Sequence, residues 1–214
     1  MGAAAAYNRN SRQPNDRRFL IICEGKNTEP LYFKAFPVLQ AEVEAFGTGR
    51  SKTSLVDATI DYVARLPRDS EREVWLVFDM DHDPIKDSAL QREDFNQAVS
   101  QAERYGFRVA YSNDAFELWF VLHYQYLDAA MTRREYFELL GRRWGISYER
   151  EGKGHRFCAT LYQRLLDDPL ASQENAIRNA ERLFRQSQHI SPAEQNPCTT
   201  VYQLVAELNK YLKK

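Results

Sequence analysis

The sequence predicts an α/β protein: a mostly parallel four-stranded sheet flanked by helices, followed by a helical C-terminal part. Two observations carry this. Four short apolar blocks alternate with helix-like segments up to about Tyr124, which calls for a parallel sheet with right-handed crossovers. The strongest blocks are continuous runs, as expected of strands buried on both faces. The division that follows is a flexible basic tail over 1–17, an α/β core over 18–124, and a helical region over 125–214 packed on that core.

Residues Met1–Arg18 are small, polar and basic, with four arginines at Arg9, Arg12, Arg17 and Arg18; a solvated arm is the plainer reading, contact with a phosphate backbone the other. Phe19-Leu-Ile-Ile-Cys23 is the first strand. It stops at Glu24-Gly25-Lys26-Asn27-Thr28-Glu29-Pro30, where Gly25 permits a tight turn, Asn27 or Thr28 can cap a helix, and Pro30 suits its first turn. Glu24 thus stands at the carboxyl end of a strand, the side on which open α/β sheets bind ligands. A glutamate that merely caps or solvates the turn would look the same.

Val43–Phe46 is a weak second strand closed by Gly47-Thr-Gly-Arg50-Ser-Lys52. Arg50 and Lys52 could meet a phosphate at the start of the helix read over Thr53–Leu66, although the loop fits no Walker pattern and a plain surface loop is the simpler alternative. Val74-Trp-Leu-Val-Phe78 is the third strand, and it breaks into Asp79-Met-Asp81-His-Asp83-Pro84. Two carboxylates at alternate positions just past a strand suit a hard cation such as Mg²⁺, which takes oxygen ligands. A solvated acidic loop would read alike, and what separates the two is the second acidic strand end at Glu24.

Ala89–Tyr105 is a charged amphipathic helix and Phe107–Ser112 the fourth strand. Asp114 and Glu117 fit a capping box for the apolar helix that follows, and Glu117 would also put a third carboxylate at the same sheet edge. His123, in apolar surroundings, reads as a core histidine. Met131–Trp144 is helical and carries Arg133, Arg134, Arg142 and Arg143. Tyr148–Arg156 is a polar, glycine-punctuated loop whose Lys153 and His155 could cover a substrate. Helices follow over Phe157–Leu166 and Gln173–Gln188, and Asn196–Thr200 caps a terminal helix over Val201–Leu212.

Composition narrows the classes. A hydrophobic fraction of 43% and a charged fraction of 28% are ordinary for a globular protein, and a net charge of −1 gives no global pull toward nucleic acid or membrane. Any polyanion binding must come from a local patch or from metal ions. Three scattered cysteines without ligand spacing read as buried thiols of a reducing compartment. No basic, apolar leader and no apolar run near the ~18 residues of a membrane span are present, so a cytoplasmic protein is expected.

If the strands lie in the order 2-1-3-4, the reversal point falls between the first and third, and Glu24 converges with Asp79 and Asp81. Close carboxylates repel, and they are costly in a partly buried site unless a cation intervenes. Glu24 with Asp79 and Asp81 then reads as a site for Mg²⁺ (or Mn²⁺) with open positions, with Glu117 a possible further ligand. Such a metal can polarise a phosphodiester and activate water, with Lys153 or Lys26 stabilising negative charge.

Four ordered segments carry a resemblance: Cys23-Glu24-Gly25-Lys26-Asn27-Thr28-Glu29-Pro30-Leu31-Tyr32-Phe33, Phe78-Asp79-Met80-Asp81, Ser112-Asn113-Asp114-Ala115-Phe116-Glu117-Leu118-Trp119 and Asn196-Pro197-Cys198-Thr199-Thr200. Together they resemble the RloB family, over about Arg18 to Leu212. The resemblance implies a Toprim, Rossmann-like core of the kind shared with topoisomerases, primases and OLD-type nucleases. It implies Glu24 as acid/base or metal ligand and Asp79 and Asp81 as Mg²⁺ ligands. It also implies a nuclease, with RNA such as tRNA ahead of DNA, acting in phage defence or abortive infection beside an RloA-like AAA/ABC-type ATPase. One departure stands out: many Toprim proteins carry glycine soon after the paired aspartates, where this chain has His82-Asp83-Pro84.

Two other readings compete. A non-catalytic module that regulates or tethers an ATPase fits the near-neutral charge and the large helical remainder. A phosphatase of the haloacid dehalogenase type would use a motif like Phe78-Asp79-Met80-Asp81, but on its first strand, and here two strands precede it.

Overall fold

The computed structural model describes residues 17–39 and 41–212; all but Arg17 of the expected tail lies outside the described residues. Strands β1 (Arg17–Cys23), β2 (Ala41–Gly47), β3 (Arg72–Asp79), β4 (Arg108–Asn113) and β5 (Cys198–Thr199) form one sheet in the order β2-β1-β3-β4-β5. The first four run parallel and β5 is antiparallel to β4. The expected order 2-1-3-4 is present, with a fifth strand added at the β4 edge.

Helices α1 (Thr28–Lys34), α2 (Lys52–Arg65) and α3 (Ser88–Arg104) are the crossovers. After β4 come α4 (Glu117–Leu122), α5 (Arg133–Trp144), a π-helical turn (Tyr148–Gly152), α6 (His155–Cys158), α7 (Leu161–Asp167), α8 (Gln173–Ser187), a 3₁₀ turn (Pro192–Glu194) and, past β5, α9 (Val201–Asn209).

The continuous apolar strands have a simple cause. Side chains alternate between faces, and both faces are covered. Phe19, Ile21 and Cys23 of β1 join Trp75 and Val77 of β3 in a core shared with α1, α4, α5, α8 and α9. Leu20 and Ile22 join Leu76 and Phe78 in the other core, under α2 and α3. Helix α4 is buried at every position, so it has no polar face to show the 3.6-residue period.

Three local expectations are corrected. Asp114 does not cap α4: the residue before that helix is Phe116 and no side chain caps it. Asp114 instead accepts the His82 N–H at 2.8 Å and the Arg133 N–H at 3.2 Å, clamping the loop after β3 to the start of α5. The segment Tyr148–Arg156 is not a loose loop but a π-helical turn leading into α6, anchored because Tyr148 is buried against Phe137, Trp144 and Phe157. Asn196–Thr200 is more than a cap. Cys198 and Thr199 form β5, and the Thr200 hydroxyl accepts the Tyr111 N–H of β4 at 2.9 Å rather than capping α9.

Candidate functional site

Parallel pairing brings the ends of β1 and β3 side by side, with Cys23 opposite Val77. The chain leaves β1 still bonded: the Glu24 N–H donates to Val77 O at 2.8 Å. The Glu24 carboxylate therefore lies over the end of β3, where its Oε2 accepts the Asp79 N–H at 3.4 Å. Residues 55 positions apart in sequence thus share one edge of the sheet. Five residues on, Glu29 is only 5% exposed and folds back under the same turn, and a Cβ at Gly25 would overlap its carboxylate.

Asp79 is 6% exposed. Its Oδ2 accepts the Phe116 N–H at 3.0 Å and lies 3.8 Å from Arg133 Nη2, while its Oδ1 is buried without a partner. Asp81 sits at φ 44°, the left-handed region that short acidic residues tolerate. From there its Oδ1 meets Arg133 Nη1 at 2.9 Å. Glu117, fully buried, comes from α4 on the far side. Its Oε1 accepts Lys153 Nζ at 2.8 Å and the Tyr148 hydroxyl at 3.0 Å, and its Oε2 is a second buried oxygen with no partner.

The electrostatics follow from this crowding. Burial pushes the Asp79 carboxyl well above the usual range, Glu29 adds to the rise, and Arg133 opposes it. Burial carries Glu24 up to about 7 against the pull of nearby Lys52. Glu29 is raised by burial, with Lys153 pulling the other way. Glu117 goes in the opposite direction: burial would raise it, but the charge and hydrogen bond of Lys153, then Arg133, hold it below normal. Lys153 is correspondingly raised, burial being outweighed by Glu117 and Glu29. Negative charge is therefore in excess on the Glu24–Asp79 side and compensated on the Glu117 side.

A family model described as RloB-like protein matches residues 19–208 of this chain. The chain belongs to that family. No curated protein and no solved structure matches it. All four segments that carry the resemblance fall inside the matched stretch of the RloB-like chain, and three of them meet at this site.

The other expected residues are placed less uniformly. Lys153 reaches Glu117, and its backbone oxygen accepts Asn27 Nδ2 at 3.2 Å, tying the turn after α5 to the turn after β1. Lys52 is buried near Glu24, whose carboxyl its charge influences. Lys26, Arg50 and His155 are exposed, and among the described residues none of their side chains bonds a site carboxylate.

Two residues at the site escaped the sequence reading, Glu29 and Arg133. For Arg133 a signal existed. It is the first residue of α5, where the helix dipole disfavours a cation, so an acidic partner was implied.

Among the described residues no three His, Cys, Asp or Glu side chains form a ready metal-binding group. The donors are nonetheless all carboxylate oxygens, the kind Mg²⁺ and Mn²⁺ take. The unpaired Oδ1 of Asp79 and Oε2 of Glu117 are buried acceptors that a cation would satisfy.

Proposed function

We propose that the chain is a divalent-metal-dependent phosphodiester hydrolase that cuts nucleic acid, RNA such as tRNA ahead of DNA, in antiphage defence beside a partner ATPase. One observation carries the chemical part. Glu24 and Asp79 meet across the β1–β3 edge, the Asp79 N–H lying 3.4 Å from Glu24 Oε2, and Asp79 keeps a buried oxygen free. The defence setting, the RNA preference and the ATPase rest on the family resemblance alone.

Glu24 and Asp79 would hold the metal, joined by Asp81 once freed from Arg133. A metal there supplies Lewis-acid charge at the phosphorus centre and eases deprotonation of water. The chain's own groups do the rest. A water oxygen attacks phosphorus and the bond to the leaving oxygen breaks. Glu24, whose carboxylate lies over the end of β3 beside Asp79, takes the water proton on a carboxylate oxygen. The Lys153 ammonium, 2.8 Å from Glu117, sets positive charge facing the phosphate oxygens, and the leaving oxygen takes a proton from solvent.

The test is divalent-dependent cleavage of RNA and DNA by the purified chain, alone and with the ATPase encoded beside it. Activity that survives Asp79→Ala would reject the assignment. A non-catalytic module that binds and regulates an ATPase is the second reading, and one observation favours it: Asp79 and Asp81 are already engaged by Arg133, and Glu117 by Lys153. It requires a stable complex with the ATPase and unchanged defence in Glu24→Gln.

A further inference from the structure

Helix α5 begins on a charge that its own dipole repels. What holds Arg133 there lies on the strand ends: Nη1 is 2.9 Å from Asp81 Oδ1, and Nη2 is 3.8 Å from Asp79 Oδ2. The backbone is fixed from behind. The Arg133 N–H donates to Asp114 Oδ2 at 3.2 Å, Asp114 Oδ1 accepts the His82 N–H at 2.8 Å, and a capping box between Thr132 and Glu135 seats the first turn of α5.

The side chain fits less well than the backbone. The contact to Asp79 is longer than a hydrogen bond. The Arg133 Nε, the Asp79 Oδ1 and the Glu117 Oε2 are all buried with no partner. A buried ion pair that serves stability alone has its remaining donors and acceptors satisfied, because each unpaired one carries a desolvation cost. Here a single charge stands between carboxylates that it satisfies only in part. It reaches the mouth of the site, with its side chain 38% exposed, and its one close partner there, Asp81, is 39% exposed. Lys153, equally exposed, differs in its partner: its ammonium is held by fully buried Glu117 and lies over the Phe137 ring.

We propose that Arg133 is a resident counter-ion of the carboxylate site, displaced from Asp79 and Asp81 when a divalent cation binds, and then a positioning residue for the substrate phosphate. A doubly charged ion competes for the same oxygens with twice the charge of a guanidinium, and it can satisfy the Asp79 oxygen that Arg133 leaves bare. Once displaced, the guanidinium remains at the mouth on a fixed helix start, with a planar fork of donors matched to phosphate oxygens. The helical part of the chain thus lends the sheet edge a group that keeps the carboxylates apart from solvent cations until metal arrives. This inference rests on the hydrolase reading above.

The experiment measures Mn²⁺ binding to the metal-free full chain by electron paramagnetic resonance, with folding checked by circular dichroism and cleavage measured at saturating Mn²⁺. Arg133→Gln binds Mn²⁺ about tenfold more tightly than the parent, because a competing charge beside the ligands is gone. Its cleavage nevertheless falls about a hundredfold, the scale of losing one oriented phosphate contact. Arg133→Lys, which keeps the charge without the fork, tightens binding by about threefold and lowers cleavage by about tenfold. Arg143→Gln removes an equal charge from the other end of α5, where the guanidinium stacks on Tyr124, and changes neither. Equal or weaker Mn²⁺ binding by the folded Gln variant, or undiminished cleavage, overturns the role of Arg133. If the Gln variant does not fold, parental behaviour of the Lys variant overturns it instead. Failure of the hydrolase reading is distinguishable: Mn²⁺ then binds neither parent nor variant, or binds Asp79→Asn as well as the parent.

Discussion

The two polar ends of β3 and β4 make an instructive pair. At the β4–β5 edge, Ser112 and Thr199 share a hydroxyl bond of 2.9 Å, Asn113 Nδ2 donates to Ala193 O at 2.9 Å, and the Tyr111 hydroxyl donates to Gln195. No buried side-chain atom of these residues lacks a partner among the described residues. At the β1–β3 edge, three of the charged groups do. Both clusters hold buried polar groups and both draw on the segments that carry the family resemblance, so burial and motif do not separate them. Satisfaction does: a closed polar network holds a fold, and an open one leaves buried groups for water, an ion or a ligand to satisfy.

The comparison breaks first at Asp79. Asp79→Asn keeps the shape and the acceptor for the Phe116 N–H but removes the charge. Divalent-dependent cleavage should fall by about 10³-fold or more, several kcal/mol of transition-state stabilisation, while the denaturant midpoint stays near the parent's. A large loss of stability without loss of cleavage would make the β1–β3 edge another closed network.

His123 offers the next test, as a buried titratable group of the satisfied kind. Its Nδ1 bonds Trp119 O at 2.9 Å, and burial lowers it from 6.5 to about 4. The unfolded chain takes up a proton below pH 6.5 and the folded one only near 4, so stability is present above the unfolded value and drains as pH falls between the two. The loss is about 3 kcal/mol by pH 4, at ~1.4 kcal/mol per pH unit. The difference between the chemical-denaturation profiles of the parent and His123→Gln isolates this slope from the carboxylates. A parallel pair of profiles would mean the histidine is not neutral in the fold.

How much of this was legible follows from what each feature depends on. The runs Phe19–Cys23 and Val74–Phe78 announce strands because burial on both faces demands apolar residues at every position, and Glu24 and Asp79 stand out because acids end those runs. Arg133 is different. Its meaning lies in a contact 52 and 54 positions back along the chain, and helical periodicity says nothing about which strand end a helix start will meet. Asp114 and Glu117 matched a capping box locally, yet α4 starts one residue past Phe116, which turns Glu117 into the core toward Lys153. Strand β5, at two residues, is too short to show any period. The glycines near Lys153 read as a loop because the burial of Tyr148 that orders the segment is a tertiary event.

Thr199→Val sharpens the comparison from the closed side. Valine has the shape of threonine, so what it removes is the hydroxyl bonded to Ser112. The buried Ser112 hydroxyl is left without its partner and the Val201 N–H loses its longer contact to the same oxygen, a loss of about 1–3 kcal/mol in denaturant unfolding, with cleavage per folded molecule unchanged.

The smallest effect carries the opposite sign. Glu24 is half-buried, with one long hydrogen bond from the Asp79 N–H, and its charge is disfavoured by burial and by Asp81 and Glu29. Glu24→Gln keeps an acceptor for that N–H and removes the charge. The folded chain should gain about 0.5 kcal/mol, a rise of ~1–2 °C in the thermal midpoint for a domain of this size, while cleavage is lost. Stability gained where activity is lost is the mark of a carboxylate retained for what it binds, since a group kept for the fold would not cost the fold. A lowered midpoint in Glu24→Gln would place Glu24 with Ser112 and Thr199, among the groups that hold the sheet together.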